Sequence, residues 1–184
     1  GFLSVRHFYF QPREVKAQAA MYKGEIYFAK DSFELALKGN GADFVGFEAI
    51  ADDYSSTKAG NLAAAYAGIC YYNLGKDAEA LAYLKKFDGD DAFLSPNIEA
   101  MIGNCYANMD QYDDAIKAFE KAAKKADNEM ASPIFLQKAA TVAEKMGNYK
   151  KALDFYQKIK DEYSQSMIGR DIDKYIERAK AHVK

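Results

Sequence analysis

The sequence predicts an all-α fold built from consecutive helical hairpins. Helix-forming residues dominate its 184 positions, only three are proline, and no alternating Val, Ile and Thr run suggests a strand. Small residues also recur at a fixed offset. In AMIGNCYANMDQYDDAIKAFEKAA, residues 100–123, Gly103 and Ala115 lie twelve positions apart. One small residue on each helix lets two backbones approach closely, so this stretch predicts a tight hairpin.

Large side chains accompany the small ones in this stretch. Tyr106 follows Gly103 by three positions and Phe119 follows Ala115 by four, so each aromatic shares a helix face with a small residue. We expect both aromatics to be buried between the helices. Asp110 precedes the second helix and is predicted to cap its N-terminus.

The same pattern sets a register for most of the chain. Its reference small residues are Gly24, Gly68, Gly103 and Ala140, separated by 44, 35 and 37 positions. Two of the repeats also open alike, with Ser95-Pro96 and Ser132-Pro133 each eight positions before the small residue, where Ser can cap a helix and Pro fits its first turn.

This register resembles that of tetratricopeptide repeats (TPR), whose period is about 34 residues. The resemblance covers residues 13–166 and implies a right-handed TPR superhelix of about four helix-turn-helix repeats, with predicted bounds near 13–57, 59–92, 95–128 and 132–165. Residues 167–184 are predicted to form a C-terminal capping helix, since one side carries Ile172, Tyr175, Ile176, Ala179 and Val183.

Helix ends are also predicted in the first two repeats. Asp31 is predicted to cap the second helix of the first repeat, with Glu34 completing a capping box, and Gly75 is predicted to end the first helix of the second repeat.

The first repeat departs from the period. Gly39-Asn40-Gly41 then interrupts the first repeat, and an amphipathic segment with Phe44, Phe47, Ala51 and Tyr54 on one face follows. A surface loop is the simpler interpretation of this insertion, and a dedicated binding hook is the alternative.

Composition and motifs exclude several function classes. The formal net charge of −2, with both signs interspersed, leaves no basic stripe for nucleic acid. Cys70 and Cys105 occupy equivalent positions of neighbouring repeats and are predicted to be buried thiols, not a disulfide. The two histidines, His7 and His182, form no metal or nucleophile motif, and no phosphate-binding glycine loop occurs. We therefore expect no enzyme activity, no cofactor and no metal site.

Residues 1–12 form a segment of their own, rich in large apolar side chains over FLSVRHFYF, residues 2–10. Nine residues are too few to span a bilayer, which takes about twenty. Two interpretations stay open: an apolar strap packed on the first repeat, through which copies of the chain could oligomerise, or the outer end of a removed membrane anchor.

A concave groove is the predicted binding site, since in TPR domains the first helices of the repeats line such a surface. Asparagine amides there can donate to and accept from a peptide backbone, and Lys and Arg side chains that clamp a C-terminal carboxylate are expected to be missing. The predicted lining is Gln18, Met21, Glu25, Ala65, Ile69, Tyr72, Asn73, Asn97, Asn104, Asn108, Gln137, Thr141 and Glu144.

A more specific resemblance is to the YfgM-like bacterial family and its Bacteroidetes relatives. It is carried by QPREVKAQAAMYKGE at 11–25, YSSTKAGNLAAAYAGICYYNLGK at 54–76 and DIDKYIERAK at 171–180. The resemblance implies a single-pass inner-membrane protein with a periplasmic TPR domain, associated with the secretion translocon and with chaperones. A cytoplasmic location is the alternative.

Two functional hypotheses follow. In the first, the chain is a non-catalytic, membrane-tethered scaffold that binds proteins or extended peptides in its groove, ancillary to protein secretion. In the second, it is a structural component of cell-envelope assembly that self-associates through residues 1–10.

Overall fold

The computed structural model describes residues 11–183, and this part of the chain consists of helices and the turns and loops that join them, with no strand. The all-α prediction is confirmed. The helices are α1 Gln11–Ala29, α2 Phe33–Lys38, α3 Phe47–Asp53, α4 Lys58–Asn73, α5 Asp77–Leu84, α6 Leu94–Asn108, α7 Tyr112–Ala126, α8 Ser132–Lys145, α9 Tyr149–Glu162, α10 Met167–Arg170 and α11 Ile172–His182.

The chain divides between Asp88 and Gly89 into two units. The first unit holds the hairpins α1/α2 and α4/α5, with the short helix α3 inserted between them. The second unit holds the hairpins α6/α7 and α8/α9, followed by α10 and α11. The first helix is the longer one in both hairpins of the first unit, with 19 against 6 and 16 against 8 residues, whereas the helices of each hairpin in the second unit are equal in length.

All four hairpins turn in the same way. The second residue after each first helix adopts a left-handed conformation, and the backbone N–H of the residue that follows it donates to the carbonyl five positions back, which is the pattern of a Schellman motif. The left-handed residues are Asp31, Gly75, Asp110 and Gly147, and the four bonds (Ser32 to Tyr27, Lys76 to Tyr71, Gln111 to Tyr106 and Asn148 to Ala143) are each 2.9 Å. The role predicted for Gly75 is confirmed.

The predicted caps Asp31 and Asp110 are wrong. Both residues end a first helix with positive φ, at 56° and 59°, and do not cap the helix that follows. The N-cap positions fall one residue later, on Ser32 and Gln111. A short polar side chain tolerates the left-handed region better than most, which explains why Asp can replace Gly at this turn.

The serines predicted to cap α6 and α8 are also not caps. Ser95 and Ser132 lie inside the first turn and are buried. In their place, the Asp91 side chain accepts the backbone N–H groups of Phe93 and Leu94 at 2.8 and 2.6 Å. Asn128 does the same for Met130 and Ala131 at 3.0 and 2.8 Å, so an Asx turn opens both helices.

Small residues bring the two helices of each hairpin into close contact. Ala36, Ala80, Ala115 and Ala152, each twelve positions after a reference residue, are fully buried. A Cβ atom built on Gly103 would lie 2.8 Å from the Phe119 ring. The buried thiols predicted at Cys70 and Cys105 are confirmed. Tyr106 is only half-buried, so its predicted burial is only partly realised.

The insertion in the first unit is not a surface loop. Phe44, Phe47 and Ile50 are buried, and the rings of Phe44 and Phe47 lie against Gly24 of α1. Asn40 shapes the connection to α3, since its side-chain oxygen accepts the backbone N–H groups of residues 42, 43 and 44 at 3.1 Å each. The inserted helix thus supplies core that the six-residue α2 is too short to supply.

The outer face of α3 is bound to the second hairpin by two carboxylates. Glu48 accepts hydrogen bonds from the hydroxyl of Tyr71 at 3.0 Å and from the ammonium of Lys38. Asp52 accepts from the hydroxyl of Tyr83 at 3.1 Å and from Lys86 at 2.7 Å. Tyr71 and Tyr83 stack with ring centroids 5.5 Å apart, which holds the two networks side by side.

Both carboxylates have lowered pKa values. Burial raises the pKa of Glu48, but the hydrogen bonds from Lys38 and Tyr71 together outweigh this and lower it below 4.5. For Asp52 the hydrogen bond from Lys86 is the leading cause, and it lowers the pKa below 3.8. The folded state therefore favours the ionised form of each carboxyl group.

Residues 167–184 are predicted to form one capping helix; the structure instead has two helices there, α10 and α11, and α11 packs on the hairpins before it. Ile172, Ile176 and Ala179 are buried in one hydrophobic cluster with residues of α7, α8 and α9. Arg178 adds two hydrogen bonds to the Glu144 carboxylate, at 2.7 and 3.0 Å. Val183, predicted on the apolar side, is 41% exposed because the helix ends at His182.

The apolar strap predicted over residues 1–12 lies outside the described residues except for its last two positions. Between Gln11 and Val183, each helix is too short or too polar to cross a bilayer.

We expect Gly103→Ala to lower the free energy of unfolding by about 1–3 kcal/mol, because the new methyl group overlaps the buried Phe119 ring. Urea denaturation measures this loss. Gly103→Ala/Phe119→Leu should recover part of it, since leucine leaves room for the methyl group. A Gly103→Ala variant that gains stability, as alanine does in an open helix, would contradict the close packing.

We expect the α3 carboxylates to make stability depend on acid pH. Since their folded pKa values are lowered, their contribution is full above the unfolded values of 4.5 and 3.8 and is lost as the pH falls through the folded values. Thermal unfolding at neutral pH should show Glu48→Gln/Asp52→Asn less stable than the wild type, and the gap should narrow below about pH 4. A gap that is independent of pH would count against these networks.

Candidate functional site

A groove in the second unit follows the first helices of its two hairpins. Two adjoining depressions, of about 330 and 490 Å³, lie along α6 and α8 and share Asn104, Ile134 and Lys138 in their lining. Of the predicted residues, Asn97, Asn104, Gln137 and Thr141 line one or both depressions. We call this surface the α6/α8 groove.

The lining of the groove is mostly apolar and includes large exposed side chains. Phe93 is 80% exposed, Met130 is 82% exposed and Ile134 is 42% exposed. Folded proteins seldom leave several large apolar side chains exposed in one depression unless they meet a partner there. Phe93 and Met130 lie in the turns that open α6 and α8, outside the helical pattern, which is why helix periodicity did not identify them.

Lys138 is the only charged residue among the described residues that line these depressions. Its ammonium lies 3.3 Å from the side-chain oxygen of Asn104 and 5.7 Å from the centroid of the Phe119 ring. The predicted lining does not include Lys138, and the expected absence of carboxylate-clamping Lys and Arg side chains stays a prediction. Lys138 is four positions after Ile134, so helix periodicity could have placed it on this face.

The polar groups of the groove are partly used within the chain. The Asn97 side chain donates to the Phe93 carbonyl at 2.7 Å, and Thr141 donates to the Gln137 carbonyl at 2.9 Å. Glu144, also predicted in the lining, is instead held by Arg178 of α11. Asn108 is exposed at the end of α6, beyond the two depressions.

The first unit has a smaller depression of about 300 Å³ between α1 and α4. Three residues of the predicted groove lining, Gln18, Met21 and Glu25, line it, and Met21 is buried. Glu14 was not predicted. Its carboxylate accepts the backbone N–H groups of Lys58 and Ala59 at 2.7 and 3.1 Å, and so it satisfies the N-terminus of α4.

The other predicted residues of the first unit lie along α4, away from this depression. Ala65 is buried, and Ile69 and Tyr72 are half-buried. Asn73 donates to the Ile69 carbonyl at 2.8 Å. These positions stay predictions for partner binding.

Reactive chemistry is not evident in the described residues. No group of three or more His, Cys, Asp or Glu side chains in residues 11–183 is arranged to hold a metal ion. Burial raises the pKa of the Cys70 thiol to about 12, so its reactive thiolate form is suppressed.

Helical hairpins of this kind in three parts of the chain match models of a known repeat. Residues 100–129 match one model of the tetratricopeptide repeat, and residues 66–88 and 136–166 match a second. The chain therefore carries tetratricopeptide repeats, a feature that supports a protein–protein interaction scaffold.

Among solved structures, the chain is similar to two crystal structures of MamA. One is 19% identical with a TM-score of 0.63, covering 90% of this chain and 87% of that one. The other is 19% identical with a TM-score of 0.57, covering 86% and 93%. This likeness shows the fold. A search of curated proteins found no match.

Proposed function

We propose that the chain is a non-catalytic interaction scaffold that holds an extended peptide of a partner protein in the α6/α8 groove. The observation that supports this most is the row of exposed apolar side chains at Phe93, Met130 and Ile134, set in one pair of depressions. Covering these side chains would remove apolar area from water at about 25 cal/mol per Å².

The polar lining suits an extended peptide. The amides of Asn104 and Gln137 can meet backbone N–H and C=O groups of a bound strand. Lys138 places one positive charge between the depressions, without an acidic residue among the described lining residues. We therefore propose a segment with apolar anchor residues and a neutral or acidic character.

The membrane tether belongs to the same proposal. Its support is the resemblance of residues 11–25, 54–76 and 171–180 to YfgM-like proteins, which also suggests the secretion translocon or periplasmic chaperones as partners. Some twenty apolar residues encoded immediately upstream of Gly1 would support the tether, and a polar upstream sequence would remove it.

Crosslinking from inside the groove tests the site. A photoreactive benzoylphenylalanine at Met130 should trap a partner in cells, because this side chain lies in the groove. Met167 is the matched control: it is 87% exposed against 82% for Met130, and it lies at the start of α10, outside both depressions. Equal adducts at the two positions would contradict a groove-bound partner.

We expect Ile134→Glu to weaken partner binding about tenfold or more, equivalent to at least about 1.4 kcal/mol, because a carboxylate would be buried against apolar groups of the peptide. The melting temperature should change little, since Ile134 is 42% exposed. Binding to the crosslinked partner, measured by calorimetry, gives the affinity. Undiminished affinity in a folded variant would exclude the groove.

A further inference from the structure

The first helix, α1, carries an apolar stripe that is not buried in the core formed by residues 11–183. Val15 and Tyr22 are 65% and 66% exposed, and Ala19, Ile26 and Ala29 are exposed as well. These positions are separated by four, three, four and three residues. That is the spacing of a and d positions in a coiled coil, with Val15, Tyr22 and Ala29 at d and the other two at a.

The stripe lies on the side of α1 opposite its packed side. Ala17, Met21 and Gly24 are buried against the first unit, and at about 100° per residue they face away from Tyr22 and Ile26. Helix α11 of the second unit exposes the charged side chains of Lys174, Glu177 and Lys180, whereas the exposed face of α1 carries this apolar stripe.

The charged residues on either side of the stripe are complementary to those of a second α1 helix. Gln18 and Glu25 precede the a positions and so occupy g, while Lys16 and Lys23 follow d positions and occupy e. Lys30, the first residue after α1, stands where the next e position falls. In a parallel pair, a g residue meets the e residue five positions later on the other helix. Glu25 would therefore meet Lys30 of a second copy, twice across the two-fold axis.

The antiparallel arrangement is disfavoured. It would place e residues against e residues and bring lysines together, and like charges repel. Lys23 already pairs with Asp43 within the chain, so Glu25 and Lys30 are the pair that selects orientation.

We infer that α1 is a self-association surface, which binds the α1 helix of a second copy of this chain in a parallel two-helix coiled coil. The helix is already ordered by packing on the first unit, so pairing does not carry the cost of helix nucleation. Its 19 residues span only about 28 Å. An interface of that length falls below the roughly 1,000 Å² of stable complexes, so the dimer forms and dissociates with concentration.

Disulfide trapping on the full chain tests the orientation. Ala29→Cys places a thiol at a d position at the end of α1, where a parallel pair brings the two copies of residue 29 together and an antiparallel pair separates them by most of the helix length. Ala78→Cys, exposed on α5, is the matched control. The native thiols are buried and do not compete.

Rapid covalent dimer from Ala29→Cys, with at least tenfold less from Ala78→Cys under the same mild oxidation, is the expected result. Equal rates would show random collision, and no dimer from Ala29→Cys would show that another segment, such as residues 1–10, covers the stripe or that it stays open. Either outcome overturns the inference.

Charge exchange gives an independent test by sedimentation velocity over a concentration series. Glu25→Lys and Lys30→Glu should each weaken self-association severalfold, and an equimolar mixture of the two variants should restore it, since every cross-pair is then opposite in charge. Circular dichroism checks that each variant is folded. Wild-type protein that stays monomeric at all concentrations, or a mixture no stronger than its components, overturns the proposal.

Discussion

The close approach of a small residue to a large side chain is the contact on which each hairpin depends. In the second to fourth repeats the large residue lies sixteen positions after the small one: Leu84 after Gly68, Phe119 after Gly103 and Tyr156 after Ala140. Cβ atoms built on Gly68 and Gly103 would lie 2.6 and 2.8 Å from their large partners. Contacts this tight prevent one helix from sliding along the other, so they fix how the two helices of a hairpin pack. The left-handed residue of the turn lies seven positions after the small residue in each repeat.

The first repeat shows what happens when that partner is missing. Sixteen positions after Gly24 stands Asn40, which shapes a loop and cannot fill the space. Phe44 and Phe47 fill it from the inserted segment, and Glu48 and Asp52 bind that segment's other face to Tyr71 and Tyr83. Sequence pattern could identify an amphipathic segment there. It could not show that the segment replaces a core residue, because the replacement depends on contacts distant in sequence.

The candidate site, too, was only partly predictable from the sequence pattern. Helix periodicity grouped Asn104, Gln137 and Thr141, since positions three and four apart share a face, and all three line one depression. It missed Phe93 and Met130, whose positions depend on the Asx turns of Asp91 and Asn128. The Ser-Pro pairs four residues later are a more familiar start signal, and they predict the starts of α6 and α8 there instead of at the Asx turns. What periodicity does not determine is where the first turn of a helix begins, and the most exposed apolar groups of the groove lie there.

Helix α1 has three faces with different surroundings. Ala17, Met21 and Gly24 pack on the first unit, Gln18 and Glu25 border the depression toward α4, and Val15, Tyr22 and Ile26 face outward. A helix that packed only within its own unit would need apolar residues on one side alone. The second apolar side is not required by the packing of residues 11–183, and its heptad spacing with oppositely charged flanks favours a matching helix over an irregular segment. The proposed partner binding at the α6/α8 groove and the proposed pairing of α1 helices use different units of the chain. A substitution that removes one of these interactions is therefore expected to leave the other intact.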